Sequence, residues 1–277
     1  SVLIYLKEKK IEEATELLKD YVVDYPSDAW FAEKLAIIYS KMSEWSQAYS
    51  LIENIKPNKN QRLKNLLANL KILSGKNALE ALRISNNSYF VITESLKKYI
   101  LDEELKKASV LIEKNWINLN CLQVVELFMT FKIKGESDSL NRFKLVAKAI
   151  KKGRFLSSET NLALAHAAFE AGMWGESQVF LDQIKPEEWD IRVSELYNNI
   201  SKKSVKIKIP LNTKSIKNEP KWFCKFCKAK YDNWQFICKE CGEVNEIVWP
   251  KSSENQKKQG NFKNLLQNSF SHFPQMK

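Results

Sequence analysis

Four of the five cysteines are spaced Cys224-x2-Cys227-x10-Cys238-x2-Cys241. A two-residue spacer lets the backbone curl so that both sulfurs of a pair face one ion, and a second pair completes a tetrahedron. Zinc suits such a closed site because it is redox-inert and four-coordinate, and iron in a rubredoxin-like site uses the same ligands. Four thiolates leave no coordination position for water or substrate, so the expected metal is structural. A pair of disulfides or a CxxC redox centre is the competing reading, although redox motifs normally have a single CxxC pair beside a strand and helix. Persistent thiolates point to a reducing, cytoplasmic compartment.

No other constellation suggests catalysis. Cys121 is alone on an apolar stretch, LNCLQVVELF, and reads as a core residue. His166 lies in LALAHAAF among small residues, and His272 lies near the end of a polar tail. Two histidines so placed make neither a Ser/His/Asp nor a Cys/His arrangement. Glu12 with Glu13 and Glu187 with Glu188 read as solvated helix faces. No Gly-rich phosphate loop, HExxH or nucleotide fingerprint is present. The expected function is therefore non-enzymatic.

The elements that must position the cysteines follow from composition and period. Only 7 glycines and 7 prolines in 277 residues disfavour an α/β enzyme or a turn-rich β domain. The 44% hydrophobic content suffices for a buried core. Small residues recur inside apolar helical stripes at Ala14, Ala48, Ala81, Ala108 and Ser177. The interval from Ala14 to Ala48 is 34 residues by position, the tetratricopeptide length, in which each repeat is a helix pair. One repeat supplies Leu35, Ala36, Tyr39, Trp45, Ala48 and Ile52. A later one supplies Leu164, Ala165, Ala168, Gly172, Trp174, Ser177 and Leu181. Small residues allow close helix approach and large ones fill the grooves between turns. Pro26 sits where a repeat should end. The pattern is weak from 61 to 150, which reads equally as true repeats or as divergent helical hairpins. In this register Ser1 falls within a first helix, so the chain is expected to be a fragment of a longer protein.

The expected fold is all-α, a tetratricopeptide-like helical-hairpin solenoid with a small C-terminal zinc-ribbon or rubredoxin-like module. The boundaries read as 1–200 for the helical array, 201–221 for a basic linker, 222–250 for the four-cysteine module and 251–277 for a flexible tail. Within the linker, Val205, Ile207 and Ile209 alternate with lysines as in a short strand. In the tail, Phe262, Leu265, Leu266, Ser269, Phe270 and Phe273 share one helical face. The ten residues between the cysteine pairs have room for a hairpin carrying Tyr231, Trp234 and Phe236. Trp222, Trp234 and Trp249 are expected to form a miniature core or to dock the module onto the helices. So small a unit needs its metal to fold.

Pro220-x-Trp222-x-Cys224-x2-Cys227-x6-Trp234-x3-Cys238-x2-Cys241, followed by Trp249 and Pro250 and preceded by GMWGESQVFLDQI, resembles the alphaproteobacterial HemY-type family. The resemblance implies an inner-membrane protein with N-terminal membrane helices, a cytoplasmic tetratricopeptide region and an association with haem biosynthesis. The membrane helices are missing from this chain and the middle repeats are poorly preserved. The chain is also similar to lipopolysaccharide assembly protein B, a membrane-anchored regulatory adaptor that joins tetratricopeptides to a four-cysteine module but lacks the Trp222 and Trp249 frame.

The expected partners are proteins held by the helical array, which the resemblance narrows to inner-membrane haem-pathway enzymes. The formal charge of +11 is concentrated beyond residue 200, so the linker and tail also suit anionic lipid. That basic end raises a nucleic-acid alternative. Against it, a tetrathiolate zinc site is itself anionic, and the lysines are spread along a linker instead of being interleaved with aromatics.

Overall fold

The computed structural model describes residues 5, 10–25, 28–55, 60–131, 138–153, 157–203 and 216–250. Ser1, Pro26, the Val205, Ile207 and Ile209 stretch, most of the linker, His272 and the tail face around Phe270 lie outside them. The described residues are mostly helical, with three short strands. The chain folds as two compact units: 1–95 together with 221–248, and 96–220 together with 249–277. The cysteine module is thus grouped with the first helices, although the linear order had set it apart at the far end.

The first unit contains α1 (Ile11–Asp24), α2 (Ala29–Lys41), α3 (Trp45–Ile52), α4 (Gln61–Leu73) and α5 (Ala78–Ile84). Helix α6 (Tyr89–Leu101) begins in this unit and continues into the second. Side-chain caps start three of these helices: Asp28, Asn60 and Asn77 accept from the backbone N–H of Trp30, Leu63 and Leu79. Each such cap is worth about 1 kcal/mol. Successive helices pack as neighbours, α1 on α2, α2 on α3, α3 on α4 and α4 on α5. Ala36, Ala48, Tyr49, Ile52, Leu63, Leu66, Leu67 and Leu70 share one core cluster.

The second unit contains the end of α6, α7 (Leu105–Asn115), α8 (Leu122–Thr130), α9 (Ser139–Gly153), α10 (Ser158–Glu170), α11 (Trp174–Leu181) and α12 (Ile191–Lys203). Helix α7 packs on α9, α8 on α10, and α10 on both α11 and α12. Phe128, Phe143, Leu164, Phe180 and Tyr197 fill its interior. Arg142 is also buried there and donates to the carbonyls of Phe128 and Phe131 at 2.7 and 2.8 Å, at the end of α8.

One turn recurs in both units. Between α2 and α3, between α6 and α7, and between α10 and α11, the second residue after the helix has a positive φ: Ser43 at 63°, Glu103 at 60° and Gly172 at 73°. The next amide then returns to the carbonyl five residues back, Glu44 to Tyr39, Glu104 to Tyr99 and Met173 to Ala168, at 2.8–2.9 Å. This bond closes the helix end and fixes the entry of the following helix. The expected small residues, Ala48, Ala108 and Ser177, then fall in the first turn of that second helix and are fully buried. The Ser177 hydroxyl is satisfied by the Ala165 carbonyl at 2.8 Å. The stretch 61–150, where the sequence pattern was weak, contains α4 to α9.

Candidate metal centre

Two loops of the same backbone design carry the four cysteines. In the first, the Cys224 amide donates to the Ala229 carbonyl at 3.0 Å and the Lys228 amide donates to the Cys224 carbonyl at 3.0 Å. In the second, Cys238 donates to Glu243 at 2.8 Å and Gly242 donates to Cys238 at 2.9 Å. The chain reverses at Lys228 and Gly242, with φ of 64° and 69°. Each loop is the turn of a β-ribbon. The first joins β1 (Trp222–Cys224) to β2 (Lys230–Tyr231), and the second is spanned by a bridge from Ile237 to Val244. Strand β3 (Ile247–Val248) pairs antiparallel with the other edge of β1. The hairpin expected within the connector is not what forms. Tyr231 joins β2, while Trp234 and Phe236 turn toward the helices and pack against their core.

The ligand atoms of Cys224, Cys227, Cys238 and Cys241 lie within 4.8 Å of one another. Two of the Sγ pairs, Cys224 with Cys241 and Cys227 with Cys238, are 3.7 and 3.5 Å apart. A tetrahedron with metal–sulfur bonds of about 2.3 Å has edges of about 3.8 Å, so the sulfurs fit one ion. All five cysteines are unpaired, and Cys227 and Cys241 are exposed while Cys224 and Cys238 are buried. Four thiols this close cannot ionise together without a cation. Burial opposes ionisation of Cys238, but the Tyr231 hydroxyl and the amides of Cys241 and Glu240 outweigh it and lower the thiol to about 6. The Glu243 amide favours the Cys241 thiolate, yet desolvation and the neighbouring sulfurs push that thiol up to about 12. A divalent ion removes this conflict, and the four residues together could hold one.

Tyr231 orients the centre from outside the ligand set. Its hydroxyl lies 3.0 Å from Cys238 Sγ and accepts the Lys239 amide at 3.1 Å. Once Cys238 is a thiolate it can only accept, so the Tyr231 hydroxyl is placed to donate to it, an outer-shell contact of the kind that tunes metal sites.

The module is fastened to the first helical unit by rings and by one buried polar chain. Phe236 and Val244 belong to the same core cluster as α3 and α4. Trp234 stacks on Phe90 with centroids 5.1 Å apart, Trp222 meets Tyr89 at 4.4 Å, and Phe236 meets Trp45 edge-on at 5.9 Å. Asn69 on α4 is fully buried, donates to Asn245 Oδ1 at 2.6 Å and accepts from the Ser88 hydroxyl at 2.7 Å. Glu246 lies 3.4 Å from Arg62 and 3.5 Å from Lys225. Trp222 and Trp234 therefore do the expected docking. Trp249 instead lines a cavity of about 510 Å³ in the second unit, with Leu162, Glu159, Glu188 and Arg192 among its walls.

The remaining candidates are separate from the sulfurs. Cys121 is fully buried, and burial drives its thiol far above the ordinary range, which removes it as a nucleophile. His166 Nε2 sits 3.7 Å from Glu126. Glu12 and Glu13 occupy the first turn of α1, and Glu187 and Glu188 a 3-10 turn. Residue types and spacing pointed to none of Tyr231, Asn69 and Asn245. The one hint for Tyr231 is its position between the two cysteine pairs. Among the described residues no helix is long and apolar enough to cross a membrane. No protein-family model matches the chain, and no curated protein matches it.

Proposed function

We propose that this protein is a non-enzymatic scaffold in which tetratricopeptide-like helix pairs hold a partner protein and a structural tetrathiolate metal, zinc in preference to iron, stiffens one end of the array. The observation that carries this reading is the recurrence of one turn at Ser43, Glu103 and Gly172, each followed by a buried small residue in the next helix. Recurrent helix pairs with side-by-side neighbours are the architecture of repeat proteins, whose extended surfaces bind polypeptides. The closed sulfur set supports a structural metal, since it leaves no ligand position for chemistry.

The resemblance in the Trp and Cys segment extends the proposal to the cytoplasmic face of a bacterial inner membrane, with haem-pathway enzymes as partners. Elemental analysis with thiol counting tests the metal: about one zinc or iron per chain with four protected thiols is expected, and an oxidised, metal-free chain would refute it. Binding of the purified chain to purified inner-membrane haem-pathway enzymes tests the partner. No measurable association with any of them would leave the scaffold without its proposed cargo.

A further inference from the structure

The helices of the first unit do not close their own core. Leu63, Leu66, Leu67 and Leu70 on α4 and Ala48, Tyr49 and Ile52 on α3 share a cluster that Phe236 and Val244 of the module complete. Asn69, with no exposed surface, directs its amide to Asn245. Trp45, Tyr89 and Phe90 each place a ring against one from the module. The strands that hold the module's shape are only two or three residues long, so its fold would depend on an ion held by its sulfurs. Two of the four cysteines, Cys227 and Cys241, are exposed residues, one in each loop, open to a small oxidant.

We infer that the cysteine centre is a redox-sensitive latch: when hydrogen peroxide oxidises the four thiolates, the metal leaves, residues 221–248 detach, and the apolar face of α3 and α4 is bared. The inference rests on the metal reading of the four cysteines. Two peroxide molecules each accept two electrons. Four metal–sulfur bonds and two O–O bonds break, two S–S bonds form, and four protons from solvent complete four waters as the divalent ion departs with its charge unchanged. Sulfurs now 3.5 and 3.7 Å apart must close to about 2.0 Å, which draws the two loops together and away from the docked geometry.

The test uses the full chain loaded with Zn2+ and treated with hydrogen peroxide, with zinc release followed by a colorimetric chelator and amide exchange by mass spectrometry. Exchange in Gln61–Leu73 and across 236–248 should rise at least tenfold as zinc appears, while Ser158–Glu170 and Trp174–Leu181 stay unchanged. A thiol reductant with fresh Zn2+ should restore protection. Zinc release with Gln61–Leu73 still protected would overturn the latch alone, as would zinc that peroxide fails to remove. A reduced chain that takes up no zinc would overturn the metal reading and the latch together. The Phe236→Ser variant keeps all four cysteines and should bind zinc with Gln61–Leu73 already exchanging fast; a protected α4 in that variant would show that the module is not the cover.

Discussion

Lys228 and Gly242 occupy equivalent positions in the two cysteine loops, both with left-handed backbone, yet only one is glycine. A Cβ in that region costs about 1 kcal/mol. The Lys228 side chain recovers part of this by donating to the Lys225 carbonyl at 2.7 Å, an exposed contact of small worth. Lys228→Gly should therefore stabilise the metal-loaded protein by about 0.5 kcal/mol, seen as a higher chelator concentration for half removal; easier stripping would mean that the lysine contact outweighs the strain. Glu126 shows a second imbalance. Burial holds its carboxyl above the ordinary value, Glu159 and Glu170 add to this, and His166 and Arg192 only partly offset it. The folded state thus binds this proton more tightly than the unfolded chain, and stability falls as pH rises from the ordinary carboxylate value through the raised one. Glu126→Gln should raise the Tm at pH 7, modestly because the side chain is 39% exposed, and the gain should vanish near pH 4. A lower Tm at pH 7 would show that pairing with His166 dominates. The four-cysteine cluster was legible because the spacing of two CxxC pairs gathers four sulfurs. Tyr231 was not, because no spacing rule places its hydroxyl beside Cys238.

The helix pairs were legible wherever the residue whose carbonyl closes the turn and the small residue of the next helix keep their spacing, as at Tyr39 with Ala48 and at Ala168 with Ser177. Helices α8 and α9 escaped that pattern. Ala147 is fully buried on α9, but no small residue on the expected period marks it. Instead a charged residue secures this pair, which no hydrophobic pattern reveals. Arg142 is 2% exposed and its guanidinium donates to two carbonyls at the end of α8. A cation there also suits the negative end of the helix dipole. Arg142→Met keeps the bulk but strands both carbonyls, and should cost about 2–4 kcal/mol in urea unfolding of the second unit. A loss below about 0.5 kcal/mol would show that the carbonyls find other donors.

At the scale of the chain, the first compact unit is assembled from two distant segments, with the whole of 96–220 between them in sequence. Each unit has its own buried core, so urea unfolding of the metal-loaded protein should proceed in two steps. A chelator should lower only the step that belongs to residues 1–95 and 221–248. One step, or two that move together on chelation, would show the units to be thermodynamically inseparable. Linear reading set the module apart as residues 222–250 and left open which helices it docks on, because sequence order was its only guide. Nothing in a local pattern shows that Phe236 and Val244 finish a core begun near residue 32. The order of synthesis turns this arrangement into a matter of timing. The ribosome delivers α4 more than 160 residues before its cover, a delay of roughly ten to thirty seconds at about 5–20 residues per second. Through that interval the leucines of α4 have their neighbours on α3 but lack Phe236 and Val244, so the nascent protein presents a sticky face that a chaperone would be expected to shield until the last cysteine has emerged.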